Sequence, residues 1–111
     1  MHIPFSNTTK ISTTEGTIWD YEINKDVGVS YQRLTMRGPQ SGRYLNKECH
    51  EIYFIIDGSA KFFVDGTEYD VKEKDIVVVE PNTPHYIETN NLTYITITRP
   101  DWYEGQYEQV D

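Results

Sequence analysis

The sequence predicts an all-β antiparallel domain, a barrel or a sandwich, and three observations carry that prediction. No window places apolar residues at three- and four-residue spacing over two turns, so amphipathic helices are not indicated. Short segments rich in β-branched and aromatic residues recur at even spacing, with turn signals between them. Nothing of helical pattern lies between successive segments to act as a crossover, which leaves antiparallel connections.

Taken in order, residues 1–15 are rich in Thr and Ser without alternation and read as an arm lying over the barrel, which itself spans residues 16–100. Strands are expected at Thr17 to Ile23, Val29 to Arg37, Glu51 to Ile56, Ala60 to Val64, Glu68 to Val71, Asp75 to Val79, His85 to Glu88 and Leu92 to Thr98. Asp57-Gly58 and Asp65-Gly66 suit tight hairpins, because glycine accepts positive φ without steric cost. Pro81-Asn82-Thr83-Pro84 forces an extended or turning path. Residues 101–111 form a polar and aromatic tail, whose Trp102, Tyr103 and Tyr107 either cap one barrel end or lie on a neighbouring subunit.

Two strands lack alternation altogether. Ile52 to Ile56 and Ile76 to Val79 are apolar at successive positions, and successive strand residues point to opposite faces. A barrel interior covers one face only. The other is covered by the arm, by a second layer or by another subunit, and a homodimer is the expected solution.

Composition narrows the function. At 111 residues with 37% apolar content the chain supports one core. It has no apolar run of membrane-spanning length and no signal-peptide pattern near Met1, so membrane partners are not expected and a cytoplasmic protein is. Cys49 is the one cysteine, which excludes an internal disulfide. A net charge of -8 with no Lys/Arg cluster opposes binding to nucleic acid.

Glu51-Ile52-Tyr53-Phe54-Ile55-Ile56-Asp57-Gly58 and Lys74-Asp75-Ile76-Val77-Val78-Val79-Glu80-Pro81-Asn82-Thr83-Pro84-His85, with the hairpin Phe62 to Tyr69 between them, resemble the two signature motifs of the cupin superfamily. The first family motif ends Glu, six residues, Gly; the second runs Gly-Asp, a stretch of valines, Pro-x-Gly, two residues, His. Lys74 and Asn82 stand where the second motif usually has glycines. The resemblance covers roughly residues 42–100. It implies a double-stranded β-helix (jelly-roll) barrel, with Ile55, Val64, Val78 and Ile87 among its lining residues and Glu51 and His85 converging on one pocket.

In metal-binding cupins, two histidines of the first motif join its glutamate and the second motif's histidine around one divalent ion. Counted back from Glu51, the shorter family spacing places those histidines at Leu45 and Lys47, the longer at Tyr44 and Asn46. Neither supplies an imidazole, and an ammonium at Lys47 would repel a cation and compete for Glu51. His50 adjoins Glu51 and so points to the other face; a bulge there would return His50 or Cys49 to the site.

No cofactor is therefore assigned. The leading expectation is a small-molecule pocket in which Glu51 and His85 act as an acid/base pair on a sugar or organic acid, as in metal-free isomerases and epimerases of the resembled superfamily, with Tyr44, Lys47 and Tyr53 as ligand-binding residues. The alternatives are a non-catalytic metabolite-binding module and a metal-dependent dioxygenase or isomerase using a divalent transition metal.

Overall fold

The computed structural model describes residues 1–111, with nine strands: β1 (Thr9–Ser12), β2 (Gly16–Tyr21), β3 (Gly28–Leu34), β4 (Arg43–Asn46), β5 (His50–Val64), β6 (Thr67–Val71), β7 (Ile76–Val79), β8 (His85–Arg99) and β9 (Tyr107–Val110). Single 3-10 turns occupy Phe5–Asn7 and Glu104–Gln106. No helix is long and apolar enough to cross a membrane.

All pairings are antiparallel, and two 15-residue strands, β5 and β8, organise them. The β5–β8 register slips between Ile55 and Asp57 and again between Ser59 and Lys61. On one side of these slips the sheet order is β1-β2-β3-β8-β5-β7; on the other it is β9-β4-β8-β5-β6. The bend folds the sheet over itself. Tyr53 and Phe62, from the two halves of β5, meet edge to face with ring centroids 5.1 Å apart. This is the curled antiparallel barrel that the sequence predicts.

Asp65-Gly66 makes the expected hairpin: both residues have positive φ, 48° and 83°, and they join Val64 to its partner Thr67. Asp57-Gly58 does not. It lies inside β5, where Gly58 has φ 90° and a Cβ there would sit 2.2 Å from the Asn91 carbonyl oxygen. Glycine is needed because two backbones touch at the barrel corner, and a bulge and a hairpin call for the same residue. Glu51 to Ile56 and Ala60 to Val64 are thus one bent strand, as are His85 to Glu88 and Leu92 to Thr98. Strands β1, β4 and β9 lie outside the expected set because they are four-residue segments with too few buried positions to alternate visibly.

Phe62, Ile55, Ile87 and Leu92 are fully buried, and Val64 packs against the core they form. The assignment of Val78 to the interior is corrected: it is 49% exposed, while Val77 and Val79 point inward as register partners of Tyr53 and Glu51. An unbroken apolar run carries no parity, so only pairing decides which residues face in.

The outer face of the β2-β3-β8-β5-β7 layer is apolar along two registered rows. One runs Trp19, Tyr31, Ile95, Phe54, Ile76; the other runs Tyr21, Val29, Ile97, Ile52, Val78. Phe5 of the N-terminal segment packs over the first part of it, within 6.3 Å of the Trp19, Tyr21 and Tyr31 rings.

Candidate ligand pocket

A cavity of about 450 Å³ opens between the two layers. Inward parity brings Glu51 and Tyr53 from β5, Tyr44 and Asn46 from β4, and His85, Tyr94, Thr96 and Thr98 from β8 to its wall, with Ser30 and Gln32 from β3 beside their register partners Thr96 and Tyr94. The solvent-exposed Trp102 and Glu104 mark its rim, so the C-terminal tail caps the barrel of its own chain.

Glu51 is buried and held at both oxygens. Asn46 Nδ2 donates to Oε1 at 2.6 Å and the Tyr53 hydroxyl to Oε2 at 3.1 Å. His85 is buried, and its Nε2 lies 3.5 Å from Glu51 Oε1 and 3.3 Å from the Tyr53 hydroxyl oxygen. Its Nδ1 donates to the Thr83 carbonyl at 2.9 Å. That bond fixes the tautomer of a neutral ring, leaving the Nε2 lone pair to face the cavity. Trp102 Nε1 donates to Asn46 Oδ1 at 2.9 Å, which orients the amide that holds Glu51.

Three tyrosines in the wall remain protonated. Burial raises the pKa of Tyr53 well above the ordinary value, with the Glu51 carboxylate adding to it. Burial likewise raises Tyr94 and Tyr44, helped by Tyr44 and Glu51 for the former and chiefly by Glu15 for the latter. These phenols act as hydrogen-bond donors, not as bases. Tyr94 donates to Gln32 Oε1 at 2.8 Å, and Gln32 Nε2 donates to Ser30 Oγ and Thr96 Oγ1 at 2.8 and 2.9 Å, building a polar network beside Tyr53, whose register partner is Thr96.

Of the residues singled out in the sequence, Glu51, His85, Tyr44 and Tyr53 share this cavity. Lys47 is corrected: it follows the last residue of β4, is largely exposed, and pairs with Glu108 at 3.5 Å. The longer family spacing is the one that applies, putting Tyr44 and Asn46 inward. His50 is exposed and bonds Glu80 at 2.9 Å, and Cys49 is buried against Gln106, whose Nε2 donates to Sγ at 2.6 Å; neither reaches the cavity. Ser30, Gln32, Tyr94, Thr96, Thr98, Asp20 and Asp101 were not foreseen. The signal for two of them is the alternation Val29, Ser30, Tyr31, Gln32, which reads as apolar-in and polar-out but is the reverse.

The donor set does not suit a resident transition metal. One imidazole and one carboxylate converge, both carboxylate oxygens already accept hydrogen bonds, and no three His, Cys, Asp or Glu side chains come together in a metal-binding arrangement.

Carboxylates crowd the remaining lining. Asp20, Glu51, Asp101 and Glu104 face the cavity and no Lys or Arg does. The pKa of Asp20 is raised by burial, then by Asp101 and Glu22.

Comparison with known proteins follows the same lines. The curated "Uncharacterized protein MJ1618" of Methanocaldococcus jannaschii is 40% identical over 38 residues, 34% of this chain and 30% of that protein, so the match spans under a third of that relative's length. Among solved structures, a variant of Streptomyces Pac13 with uridine superposes with a TM-score of 0.88 at 13% identity, covering 99% of this chain and 89% of that one. Pac13 is described as a nucleoside dehydratase. Oxalate decarboxylase of Bacillus subtilis gives a TM-score of 0.79 at 20% identity, covering 96% of this chain and 31% of that one. At these identities the likeness is one of fold. The family model for the cupin domain matches residues 31–96, more than half of the chain and a span that includes both Glu51 and His85, and the chain therefore belongs to the cupin family.

Proposed function

We propose that the cavity is the site of a metal-independent acid/base enzyme acting on a small, neutral, hydroxylated molecule of sugar or nucleoside size. The observation that carries this reading is the meeting of His85 Nε2, the Tyr53 hydroxyl and the two oxygens of the Glu51 carboxylate in a buried wall, with Nε2 3.5 Å from Oε1 and 3.3 Å from the hydroxyl, and the hydroxyl 3.1 Å from Oε2. With Nδ1 committed to Thr83, Nε2 takes a proton from a substrate carbon. The Glu51 carboxylate stabilises the imidazolium so formed, and the Tyr53 hydroxyl donates to the oxygen on which charge develops. The same proton then returns to carbon, in isomerisation or epimerisation, or to a departing hydroxyl, in which case water leaves and a C=C bond forms.

The lining carboxylates narrow the substrate from sugar or organic acid to a neutral molecule, since an organic anion would be repelled without a compensating cation. The cavity volume lies within the ~300–1,000 Å³ typical of small-molecule sites. Uridine, held by the similarly folded Pac13, is a neutral ligand of that size.

The test is a panel of nucleosides, free sugars and polyols set against dicarboxylic and keto acids, read by thermal shift and by deuterium incorporation from heavy water. A neutral compound is expected to raise the melting temperature in proportion to the logarithm of its concentration and to exchange a C–H proton. Tighter binding by the anions would overturn the reading, and binding without exchange would leave the non-catalytic module in its place.

A metal analysis follows from the same donor set. Protein purified without added ions and dialysed is expected to carry well under one equivalent of transition metal by plasma mass spectrometry. Stoichiometric iron, manganese, nickel or zinc would mean that the ligands lie elsewhere than at Glu51 and His85.

A further inference from the structure

One end of the cavity carries polar groups that the acid/base pair leaves unused. Gly28 of β3, Thr98 of β8 and Glu51 of β5 stand in one registered row and line the cavity, so the wall beside Glu51 is first a hydroxyl and then bare backbone. Gly28 is not among the glycines of positive φ. What it supplies is space: a Cβ there would meet Thr98 Oγ1 and Asp101 Oδ1, each at 2.5 Å. Two polar atoms therefore aim at one point above the glycine backbone.

Neither is otherwise engaged. Thr98 is only 7% exposed, yet its hydroxyl makes no hydrogen bond within the protein. Every fully enclosed side-chain polar atom of the chain has a partner, so the Thr98 hydroxyl opens onto the cavity. The carboxylate of Asp101 makes no hydrogen bond or ion pair, and neither does that of Asp20, which lies one inward row along in register with Ser30. Asp101 is near enough to Asp20 to raise its proton affinity, so the two carboxylates share one end of the cavity.

We propose that this end of the cavity is a diol subsite: one ligand hydroxyl sits over Gly28, accepting from Thr98 and donating to Asp101, and the hydroxyl on the adjacent carbon donates to Asp20. The inference rests on the reading of the cavity as a substrate site, and it specifies which neutral, hydroxylated molecules that site takes. A hydroxyl both donates and accepts, as Asp101 and Thr98 together require. An ammonium would serve the carboxylates and leave the Thr98 hydrogen without an acceptor. An anionic ligand group would meet Asp20 and Asp101 with no cation to offset them. Because Thr98 is the register partner of Glu51, a diol held here sets the rest of the same molecule against Glu51 and His85.

Isothermal titration calorimetry of the full chain with matched pairs, uridine against deoxyuridine and methyl riboside against methyl deoxyriboside, reads the subsite. Proton exchange from heavy water on the same compounds reads the acid/base pair. A diol is expected to bind roughly ten- to a hundredfold tighter than its deoxy counterpart, as for a hydrogen bond to a charged group. Asp101→Asn is expected to remove most of that preference while the deoxy compound binds as before. Should Asp101→Asn fail to fold by circular dichroism, Thr98→Val, nearly the same shape, is expected to lessen the preference in the same direction. A variant that weakens both members of a pair alike shows a structural role and overturns the proposal. Equal binding of a diol and its deoxy counterpart, with exchange retained, overturns the subsite and leaves the acid/base reading standing; a diol preference without exchange does the reverse. Binding by neither diol, or tighter binding by the amino-deoxy riboside in its ammonium form, also overturns the subsite.

Discussion

Replacing His85 with Asn is expected to lower turnover on the best substrate by roughly 10²- to 10⁴-fold, the range over which a positioned general base acts. Glu51→Gln is expected to fall in the lower part of that range, because it removes the charge that steadies the imidazolium but not the proton acceptor itself. Both variants are chosen to preserve packing. A glutamine at 51 still accepts from Asn46 Nδ2, and its new amide can donate to the Tyr53 oxygen, whose own hydrogen can turn to His85 Nε2 3.3 Å away, so no buried polar atom is left alone. Asparagine at 85 is smaller than histidine and leaves some space, but retains a donor for the Thr83 carbonyl. Stability should change by about 1 to 2 kcal/mol in each, while turnover drops by orders of magnitude. Steady-state kinetics beside a urea denaturation curve separates the two quantities. If both variants lose several kcal/mol of stability while turnover and ligand affinity hold, the pair is structural and the pocket assignment fails.

Legibility of the site in the sequence was uneven, for a physical reason. Glu51 directly precedes the apolar run Ile52 to Ile56 and His85 directly follows the Pro81 to Pro84 turn, and their family positions are fixed by count. The strand register that unites them was not visible, because Ile52 to Ile56 and Ile76 to Val79 are apolar on both faces. That ambiguity sent Val78 to the wrong side. The two spacings found in the family separately left Leu45 with Lys47 and Tyr44 with Asn46 as open choices, where the pairing of Tyr44 with His85 settles which pair faces inward. Polar residues such as Ser30, Gln32, Thr96 and Thr98 were passed over because a polar residue in a strand ordinarily marks the solvent face. Here they line a cavity, and their hydroxyl and amide groups satisfy one another across strands far apart in sequence, as Ser30 and Thr96 do at 2.5 Å. Asp57-Gly58 shows the same limit at the level of fold: the need for positive φ is local and readable, whereas whether the chain turns back or merely bends depends on the partner strand.

The wall of tyrosines gives a stability prediction with a definite sign. Tyr44, Tyr53 and Tyr94 each have a folded-state pKa above the value of about 10 that a tyrosine has in an unfolded chain, burial being the largest cause in all three. Below pH 10 both states hold the phenolic protons, and the contribution of these residues to stability is fully present. Above it the unfolded chain releases protons that the native state keeps, so the native state binds more and stability falls as pH rises. With all three protected, the limiting slope is a loss of about 4 kcal/mol per pH unit, against a total stability of ~5–15 kcal/mol for a domain of this size. Cooperative unfolding is therefore expected between about pH 10.5 and 12, with the phenolate absorbance of these residues appearing together with the loss of β-sheet circular dichroism. Tyr53→Phe removes one of the three groups and should lessen the slope by about a third, even though the variant forgoes the hydrogen bond to Glu51. Phenolate absorbance from all the tyrosines that rises near pH 10 while the circular dichroism stays native would show that these side chains are reachable by solvent, and that the burial described for them does not hold in solution.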